Sequence, residues 1–392
     1  MRPLDGIKVV DFSRVLAGPM ATQIMADQGA EVIKVERPGT GDESRTFEPS
    51  FEGGQSAYFC AFNRGKKSVA IDLRSEEGRE IALDLVAQAD VIVENFLPGG
   101  MEKLGLGYDA ISARNPGVVY ISNTGFGQTG PYKDRKGYDT VFQALSGVVD
   151  LTGHPDGPPA KVGVPFADMT SGLWIVIATM TGLVGRGKTG RGCHVDLAMM
   201  DVQVSLLSLP AMWWFAQGLQ PTRTGTEHLG RVPSAAFECR DDQWIFISGS
   251  DQHWAAICEV LDLDAPDWMA TNARRVERRD EVMSLLQNAI ISCGRRDLAE
   301  ALRAAGVPAG EVNTVPEILS DPHTQFRGMV GGFDDPDRGV TQCLATPGRF
   351  SGYDPVAFLA PPKLGADTDA VLQSLGVDEA RLSELREKGV VE

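Results

Sequence analysis

The acidic side chain in the most suggestive setting is Asp168, in the segment 162–172. It follows an extended apolar run and precedes a long apolar helical pattern. A carboxylate at that position is expected to be a helix N-cap, worth about 1 kcal/mol. The same position favours an ionised carboxylate that attacks an acyl carbon, because the helix dipole and nearby N–H groups stabilise its charge. The residues alone leave both interpretations open.

The turn after the first predicted strand has the position of a dinucleotide-binding turn but not its glycines. The strand ends at Val10, a helix follows, and Glu36 stands where a ribose-binding acid is expected. The turn over 11–19 reads DFSRVLAGP and lacks the G-x-G-x-x-G that lets a pyrophosphate approach the backbone. Nicotinamide or flavin binding is therefore not expected, although the helix N-terminus beside Arg14 can bind another anion.

Other short motifs fail on their context. Gly187-Lys188-Thr189 follows Gly182 at phosphate-loop spacing, but a helical pattern precedes it and a strand follows. We expect a helix C-cap and an exposed turn over 185–192 instead. No G-x-S-x-G elbow occurs, and the histidines show neither H-E-x-x-H nor i, i+4 spacing. Neither serine hydrolysis nor a metal site is expected.

Composition narrows the partners. The formal net charge of −16 argues against non-specific binding to nucleic acid or an anionic membrane surface. The six cysteines form no CxxC pair, which favours reduced thiols and a cytoplasmic location. The first residues predict no signal peptide, and Leu173–Val184 is too short to span a membrane, so it predicts a buried helix.

The first third alternates β-branched runs with helical patterns, which is typical of a doubly wound parallel sheet. Ligands bind at the carboxyl ends of such strands, here the loops 11–19, 36–42, 94–100 and 123–130. The predicted strands are Ile7–Val10, Glu31–Val35, Ser68–Leu73, Val91–Val93 and Val118–Ser122. The predicted helices are Met20–Asp27, Glu76–Val86 and Ala110–Arg114.

The pattern changes near Glu227, where short aromatic strands and helices predict a smaller α+β domain. A strand over His194–Leu197 and an apolar helix over Met199–Phe215 precede it. The elements predicted beyond it are strands Phe237–Glu238 and Trp244–Ser248 and helices Trp254–Leu261, Glu281–Ile290 and Asp367–Leu375.

Several longer sequence motifs follow one another in a fixed order along the whole chain. They are Pro3–Phe12, Ala17-Gly18-Pro19, Gly29–Glu36, Asn63–Ser68, Val93–Phe96, Gly187–Gly190 and Pro361–Thr368. With these motifs the sequence resembles CoA-transferase family III, also called the CaiB/BaiF family. The resemblance implies a Rossmann-like large domain formed by both chain ends, an inserted small domain and an interlocked homodimer. The implied limits are 1–201 and 318–392 for the large domain with its return, 202–226 for a linker and 227–317 for the small domain.

The resemblance also implies the chemistry. The family's catalytic aspartate falls on Asp168, which forms mixed anhydrides and an aspartyl-CoA thioester while CoA passes from an acyl-CoA donor to a carboxylic acid. Coenzyme A is a substrate, and no permanently bound cofactor or metal is implied. The glycine-rich turn 123–130 is a candidate for shaping the oxyanion site. The family's CoA-contacting motifs fall on Arg14, Ala17, Arg37, Ile71, Arg74, Asn95, Phe96, Lys103, Lys136 and Tyr138.

Departures from some members bear on the substrate. Members that act on formyl-CoA and oxalate have a glutamine where this chain has Leu16, and they have a glycine run in the small domain that is absent here. The turns 14–19 and 125–131 look more like members that use succinyl-CoA and another dicarboxylate, such as glutarate or citramalate. Candidate residues for the acceptor acid are Glu227, His228 and Arg231. Arg231 is a candidate to pair bidentately with a distal carboxylate, and an ordinary arginine of a surface loop is an equally open interpretation.

Two alternatives to a transferase remain. The α-methylacyl-CoA racemases share the fold and use a histidine in a Gly-His-Asp triplet, whereas this chain has Gly137-Tyr138-Asp139 and lacks that base. A CoA-binding protein without turnover is the other, and the intact Asp168 argues against it.

Overall fold

A six-stranded parallel sheet organises the first half of the chain in the computed structural model, which describes residues 1–51, 54–240, 242–335 and 339–392. Its strands are β1 (Lys8–Asp11), β2 (Glu31–Glu36), β3 (Lys67–Ala70), β4 (Val91–Glu94), β5 (Val119–Thr124) and β6 (Cys193–Ala198). They lie in the order β3-β2-β1-β4-β5-β6, so β1 pairs with both β2 and β4. The order reverses there, and ligands bind at such a switch point. The predicted parallel α/β sheet is confirmed.

Helices connect these strands and cover the sheet. They are α1 (Ala17–Asp27), α2 (Ala57–Asn63), α3 (Glu76–Ala87), α4 (Gly100–Lys103), α5 (Tyr108–Arg114), α6 (Asp139–Leu145), α7 (Val148–Leu151), α8 (Phe166–Thr189) and α9 (Met199–Leu206). A short 3₁₀ helix spans Glu43–Thr46. On one side of the sheet α1 and α8 pack through Ala21, Met25 and Ile175. The strands bury side chains on both faces, which explains their nearly continuous apolar runs.

The end of the chain returns to this sheet. Its elements are α16 (Pro322–Phe326), the antiparallel pair β10 (Val330–Asp335) and β11 (Gly339–Leu344), and the helices α17 (Thr368–Ser374) and α18 (Glu379–Glu387). Leu372, Leu382 and Leu385 belong to the same buried cluster as Val10 and Ile33. Residues 1–148, 162–212 and 323–392 thus form one compact unit.

Residues 149–161 and 213–322 form a second compact unit. It holds an antiparallel sheet, which α-helices cover through a core that includes Phe237, Ile245, Ile257 and Leu286. The elements here and just before it are α10 (Ser208–Gln217), β7 (Ser234–Glu238), β8 (Trp244–Ser248), α11 (Asp251–Val260), α12 (Asn272–Glu277), α13 (Arg279–Ile290), α14 (Arg295–Ala304), β9 (Ala309–Glu311) and α15 (Val315–Ser320). A 3₁₀ helix spans Asp267–Ala270.

Three helix predictions need correction. The apolar run 199–215 is two helices, because α9 ends at Leu206 with Leu207 as its C-cap and α10 begins at Ser208. The break at 185–192 starts later, since α8 runs through the first glycines and ends at Gly190, which has a φ of 71°. The helix over Leu173–Val184 was predicted to be buried, yet Leu173, Ile177 and Val184 are exposed.

In the part of the chain that the structure describes, α8 is the one helix long and apolar enough to cross a membrane. Its most apolar window has a mean hydropathy of 1.4, and 28% of that window is buried. Length and composition of a single helix are weak grounds for a membrane span, since core helices of soluble proteins pass the same test.

Candidate active site

A cavity of about 740 Å³ opens at the carboxyl ends of β1 to β4, where the sheet order predicts a ligand site. The loops that follow these strands supply its walls. Of the ten residues carried over for CoA, the cavity brings together Arg14, Arg37, Ile71, Arg74, Phe96 and Lys103. Their role in binding CoA stays a prediction, but the structure places them around one space.

The cations of this cavity fall into a wall and a floor. Arg14 lies in the wall, with its guanidinium carbon 5.3 Å from the centre of the Phe96 ring. In the floor, the buried charges are already paired: Lys34 Nζ lies 2.9 Å from Asp42 Oδ2, and Glu36 is bound through both carboxylate oxygens at 2.7 Å by Arg45, which lies outside the lining. The wall cations are therefore the ones available to an anionic ligand.

The other four predicted CoA residues lie outside the cavity lining. Ala17 is the buried first residue of α1, and Asn95 binds the main chain of Arg14 through its side chain. Lys136 and Tyr138 are exposed just before α6, with Tyr138 81% accessible. The predicted CoA residues that line the cavity thus follow strands β1 to β4, whereas Lys136 and Tyr138 lie in a different part of this unit.

Asp168 is the third residue of α8, so its predicted N-cap role is wrong. The N-cap residue is Pro165, whose side chain has no acceptor. Asp139, the first residue of α6, supplies the cap instead. Its Oδ1 accepts the N–H groups of Ala167 and Asp168 at 2.8 and 3.2 Å, and its Oδ2 accepts Gln143 Nε2 at 2.6 Å. The helix N-terminus is therefore neutralised by a neighbouring carboxylate rather than by Asp168.

The electrostatics at Asp168 differ from the sequence expectation accordingly. Burial raises the pKa of its carboxyl group, and the negative charge of Asp139 raises it further, to about 7. The expectation that the helix dipole keeps this group fully ionised is wrong, because the Asp139 carboxylate occupies the position that would stabilise the charge. Asp168 is poised to exist in both protonation states near neutral pH.

Tyr58 is a half-buried residue that the sequence analysis did not single out. It lies on α2 between Phe47 and Phe62, at ring-centre distances of 5.2 and 5.5 Å. Burial raises the pKa of its hydroxyl to about 12, with contributions from the charges of Asp168 and Asp42. Tyr58 therefore stays a neutral hydrogen-bond donor within electrostatic range of both the cavity floor and Asp168. Its sequence context, AYFCAFN, is that of an ordinary apolar helix, so no signal marked it.

The start of α1 approaches the start of α8. A Cβ placed on Gly172, one turn after Asp168, would lie 2.9 Å from the carbonyl oxygen of Ala17, so this approach requires glycine. No side chain caps the N-terminus of α1, and its first turn contains no acidic residue. The positive dipole end of α1 therefore carries no side-chain counter-charge of its own.

The turn 123–130 packs against the start of α8, and its predicted role in shaping the oxyanion site stays a prediction. The N–H of Gly127 binds Thr124 Oγ1 at 3.0 Å, and the N–H of Gln128 binds the carboxylate of Asp196 at 3.0 Å. These two groups are used within the turn and its neighbouring strand, so they are not the proposed oxyanion donors. Phe126 packs instead against a buried cluster of Phe142, Ala167 and Met199 at the start of α8.

The acceptor-side candidates Glu227, His228 and Arg231 lie in the second unit. Glu227 forms an ion pair with Arg279 at 2.9 Å, and the carbonyl of His228 accepts a hydrogen bond from the same arginine. His228 Nδ1 accepts the N–H of Gly230 at 3.1 Å, and Arg231 is exposed. Glu227 and His228 thus have local structural roles. Within the described residues, no group of three His, Cys, Asp or Glu side chains could hold a metal ion.

Comparisons with known proteins identify the class. The family model for CoA-transferase family III matches residues 4–368. The crystal structure of a CaiB/BaiF family protein from Brucella suis is similar with a TM-score of 0.87 and 42% identity, covering 95% of this chain and 99% of that one. The chain therefore belongs to CoA-transferase family III and is an enzyme of that class, as the resemblance predicted.

Two relatives refine the comparison. The succinate–glutarate CoA-transferase of Agrobacterium fabrum is 39% identical, covering 95% of this chain and 96% of that protein. The acetyl-CoA:oxalate CoA-transferase of Acetobacter aceti is 37% identical, covering 97% of each. Because both substrate types occur at similar identity, the comparison fixes the family and leaves the substrate to other arguments.

Proposed function

We propose that this enzyme transfers CoA from an acyl-CoA donor, succinyl-CoA, to a dicarboxylic acid such as glutarate. The observation that carries the proposal is the convergence of Arg14, Arg37, Arg74 and Lys103 on one cavity at the carboxyl ends of the strands. In a chain with a net charge of −16, cations gathered around one cavity support recognition of the phosphates of CoA. Phe96 adds an aromatic surface against which an adenine ring can pack.

The first half of the proposed reaction loads CoA onto the enzyme. The ionised Asp168 attacks the thioester carbonyl of the donor, the C–S bond breaks, and CoA leaves as a thiolate with the bonding electron pair. A mixed anhydride joins the aspartyl and donor acyl groups. The thiolate then attacks the aspartyl carbonyl, which releases the donor as a carboxylate and leaves an aspartyl-CoA thioester.

The second half delivers CoA to the acceptor. The acceptor carboxylate attacks the aspartyl-CoA thioester, and a second mixed anhydride forms while the CoA thiolate leaves again. Attack of the thiolate on the acceptor acyl carbon yields the new acyl-CoA and restores the Asp168 carboxylate. No proton is consumed, and the thioester energy is conserved as long as water is excluded.

The position of Asp168 supports this chemistry. Burial together with Asp139 raises the pKa of its carboxyl group to about 7, and a more basic carboxylate is a stronger nucleophile once ionised. The partial burial also limits access of water to the anhydrides. The uncapped end of α1 and the neutral hydroxyl of Tyr58 are the groups that we propose stabilise oxyanions during each attack.

A product assay tests this proposal. The protein is incubated with succinyl-CoA and one acceptor acid, which is glutarate, citramalate or oxalate in separate reactions. The CoA esters formed in each reaction are then separated by chromatography. We expect glutaryl-CoA and succinate in equal amounts, with little free CoA. The Asp168→Ala variant should form no product, whereas Asp201→Ala, which removes an exposed aspartate of α9, should retain activity. Absence of every acyl-CoA product with the native protein would refute the proposal.

A second copy of the chain is proposed to cover the exposed face of α8. This helix leaves Leu173, Trp174, Ile177 and Val184 accessible to solvent, although its sequence is strongly apolar. Contiguous apolar side chains on a surface mark an interaction site, and the family resemblance implies an interlocked homodimer. Sedimentation equilibrium should give twice the chain mass of 42.1 kDa. A monomer at micromolar concentration would contradict this part of the proposal.

A further inference from the structure

The turn between β1 and α1 adopts a backbone conformation that its sequence disfavours. Val15 has a φ of 71°, in the left-handed region, where a branched side chain is penalised and glycine is not. The other non-glycine residues with positive φ in the described chain are Asp242 and Asp262, and aspartate tolerates this region far better. A valine persists there only where its surroundings fix the backbone, and such positions cluster at functional sites.

One buried ion pair binds the turn on both sides of Arg14. The N–H of Val15 donates to both carboxylate oxygens of Asp42, at 3.2 and 3.3 Å. Lys34 Nζ lies 2.9 Å from the same carboxylate and donates to the carbonyl oxygen of Ser13 at 2.8 Å. The side chains of Lys34 and Asp42 are both 0% exposed. The pair therefore holds the two peptide groups that flank Arg14.

Further contacts leave the turn no freedom to relax. Asn95 Oδ1 accepts the N–H of Arg14 at 3.0 Å, and Asn95 Nδ2 donates to the carbonyl oxygen of Arg14 at 2.8 Å. The turn also folds tightly onto α1, because a Cβ on Gly18 would lie 2.2 Å from Ser13 Oγ. The left-handed conformation of Val15 thus disfavours the observed backbone of this turn, whereas the hydrogen bonds to Asp42, Lys34 and Asn95 stabilise it.

We propose that Lys34 and Asp42 are positioning residues for acyl-CoA, because they hold Val15 in its left-handed conformation and so keep Arg14 at the cavity wall. The cavity is lined by Ser13, Arg14, Lys34 and Asp42, so the same pair forms its floor and aims the cation in its wall. The ligand group that Arg14 meets is an anionic phosphate of CoA. This inference rests on the proposed function.

A purely structural role for the pair is the competing explanation, since buried ion pairs often only maintain the fold. The two roles differ in what a second substitution does. If Asp42 acts by holding the strained turn, replacing Val15 by glycine removes the steric penalty and makes Asp42 dispensable for binding. If Asp42 acts on CoA binding through its charge, the glycine leaves the loss of binding unrepaired.

The test measures the dissociation constant of free CoA by isothermal titration calorimetry. We expect Asp42→Asn to weaken CoA binding about tenfold, the ratio that corresponds to the usual left-handed penalty. The double variant Asp42→Asn, Val15→Gly should recover most of that loss. The control is Asp27→Asn, which breaks the buried Asp27–Arg64 pair of the same unit, away from the cavity lining, and should leave CoA binding unchanged.

The outcomes separate the two levels of inference. Native protein that binds no CoA would refute the proposed function itself. Native protein that binds CoA, with equal binding by Asp42→Asn or with a loss that Val15→Gly does not repair, would refute the positioning role alone.

A second variant keeps the test decisive if Asp42→Asn does not fold. Val15→Pro forbids positive φ and removes the N–H that binds Asp42, at a half-buried position. We expect it to bind CoA at least about tenfold more weakly than native protein, with a circular dichroism spectrum like that of the native chain. Undiminished CoA binding by Val15→Pro would overturn the proposal.

Discussion

Buried carboxylates in the parallel-sheet unit fall into two groups with opposite electrostatics. Asp42 lines the cavity beside the buried Lys34, and Asp11 lies against the buried Lys66. Burial opposes their ionisation, but Lys66 and Lys34 outweigh it and lower the pKa of Asp11 to about 2, and Lys34 likewise lowers the pKa of Asp42. Asp168 and Glu94 have no ion-pair partner in the described part of the chain, and burial raises the pKa of each to about 7.

The contrast shows that burial alone does not decide the charge state of these four carboxylates, since buried lysines outweigh it at Asp11 and Asp42. A cation does not always prevail, because burial raises the pKa of Asp27 despite its ion pair with Arg64. Paired carboxylates are fixed charges that hold loops in place, as Asp42 holds the turn at Val15. Unpaired carboxylates can change their charge near neutral pH, and Asp168 is the one that stands at a helix start beside a second carboxylate. The following predictions test this division, beginning with the largest effect.

Replacing the unpaired carboxylate of Asp168 by alanine should abolish CoA transfer. The nucleophile is lost and no other carboxylate can replace it, so we expect a rate loss of at least about 10⁴-fold, equivalent to about 5.5 kcal/mol. Initial rates with succinyl-CoA and glutarate measure this loss. A variant within tenfold of the native rate would remove Asp168 from the mechanism.

Replacing the paired carboxylate of Asp11 by asparagine should cost stability instead. Its Oδ2 lies 3.0 Å from Lys66 Nζ and accepts the hydroxyl of Thr22 at 2.6 Å, so the variant leaves a buried lysine unpaired. We expect the free energy of unfolding to fall by about 3–5 kcal/mol, measured by urea titration. The exposed Asp84→Asn on α3 should change it by less than about 0.5 kcal/mol. Equal effects of both variants would contradict the pairing argument.

Neutralising Glu94 should stabilise the protein at alkaline pH, whereas neutralising Asp11 destabilises it. Its pKa is raised from 4.5 to about 7 by burial, so native Glu94 is protonated below that value. This contribution to stability is fully present below pH 4.5 and is lost as the pH rises through 7. Glu94→Gln, which mimics the protonated acid, should therefore be about 3 kcal/mol more stable than native protein at pH 8, with no gain at pH 4.

The Glu94 prediction has a matched control. Glu387→Gln replaces an exposed glutamate of α18, and its stability should follow that of native protein at both pH values. A Glu94→Gln variant without any gain at pH 8 would contradict the raised pKa of Glu94.

The smallest expected effect concerns Asp139. Asparagine can still cap α8 through its side-chain oxygen, but it removes the charge that adds to burial in raising the pKa of Asp168. The acid limb of the kcat/KM profile should move to lower pH by up to about one unit, while the thermal midpoint changes little. An unchanged or upward-shifted limb would mean that Asp139 does not influence the nucleophile.

The sheet was predictable because its strands are nearly continuous apolar runs. The parallel strands differ from their predicted limits by a few residues. The strand Trp244–Ser248, in the antiparallel sheet of the second unit, has its predicted limits. The location of the cavity followed from the rule on carboxyl ends of parallel strands, and six of the ten residues carried over for CoA line it.

Other features depend on contacts between distant segments, which local patterns do not encode. The cap of α8 comes from Asp139, 29 residues before Asp168, so a local pattern assigned it to the wrong aspartate. The sequence did not predict the exposure of Leu173 and Ile177. An apolar helical pattern shows that side chains favour burial, but it does not show whether the same chain or another molecule packs against them. Left-handed Val15 has no sequence signal, since valine is among the residues least expected there.

The most direct test of the covalent mechanism is the mass of the protein after incubation with succinyl-CoA in the absence of acceptor, followed by hydroxylamine trapping and peptide mapping. We predict a CoA adduct on the intact protein and a hydroxamate at Asp168, with neither in the Asp168→Ala variant. A hydroxamate on another residue, or native protein that transfers CoA without forming any adduct, would contradict the mechanism.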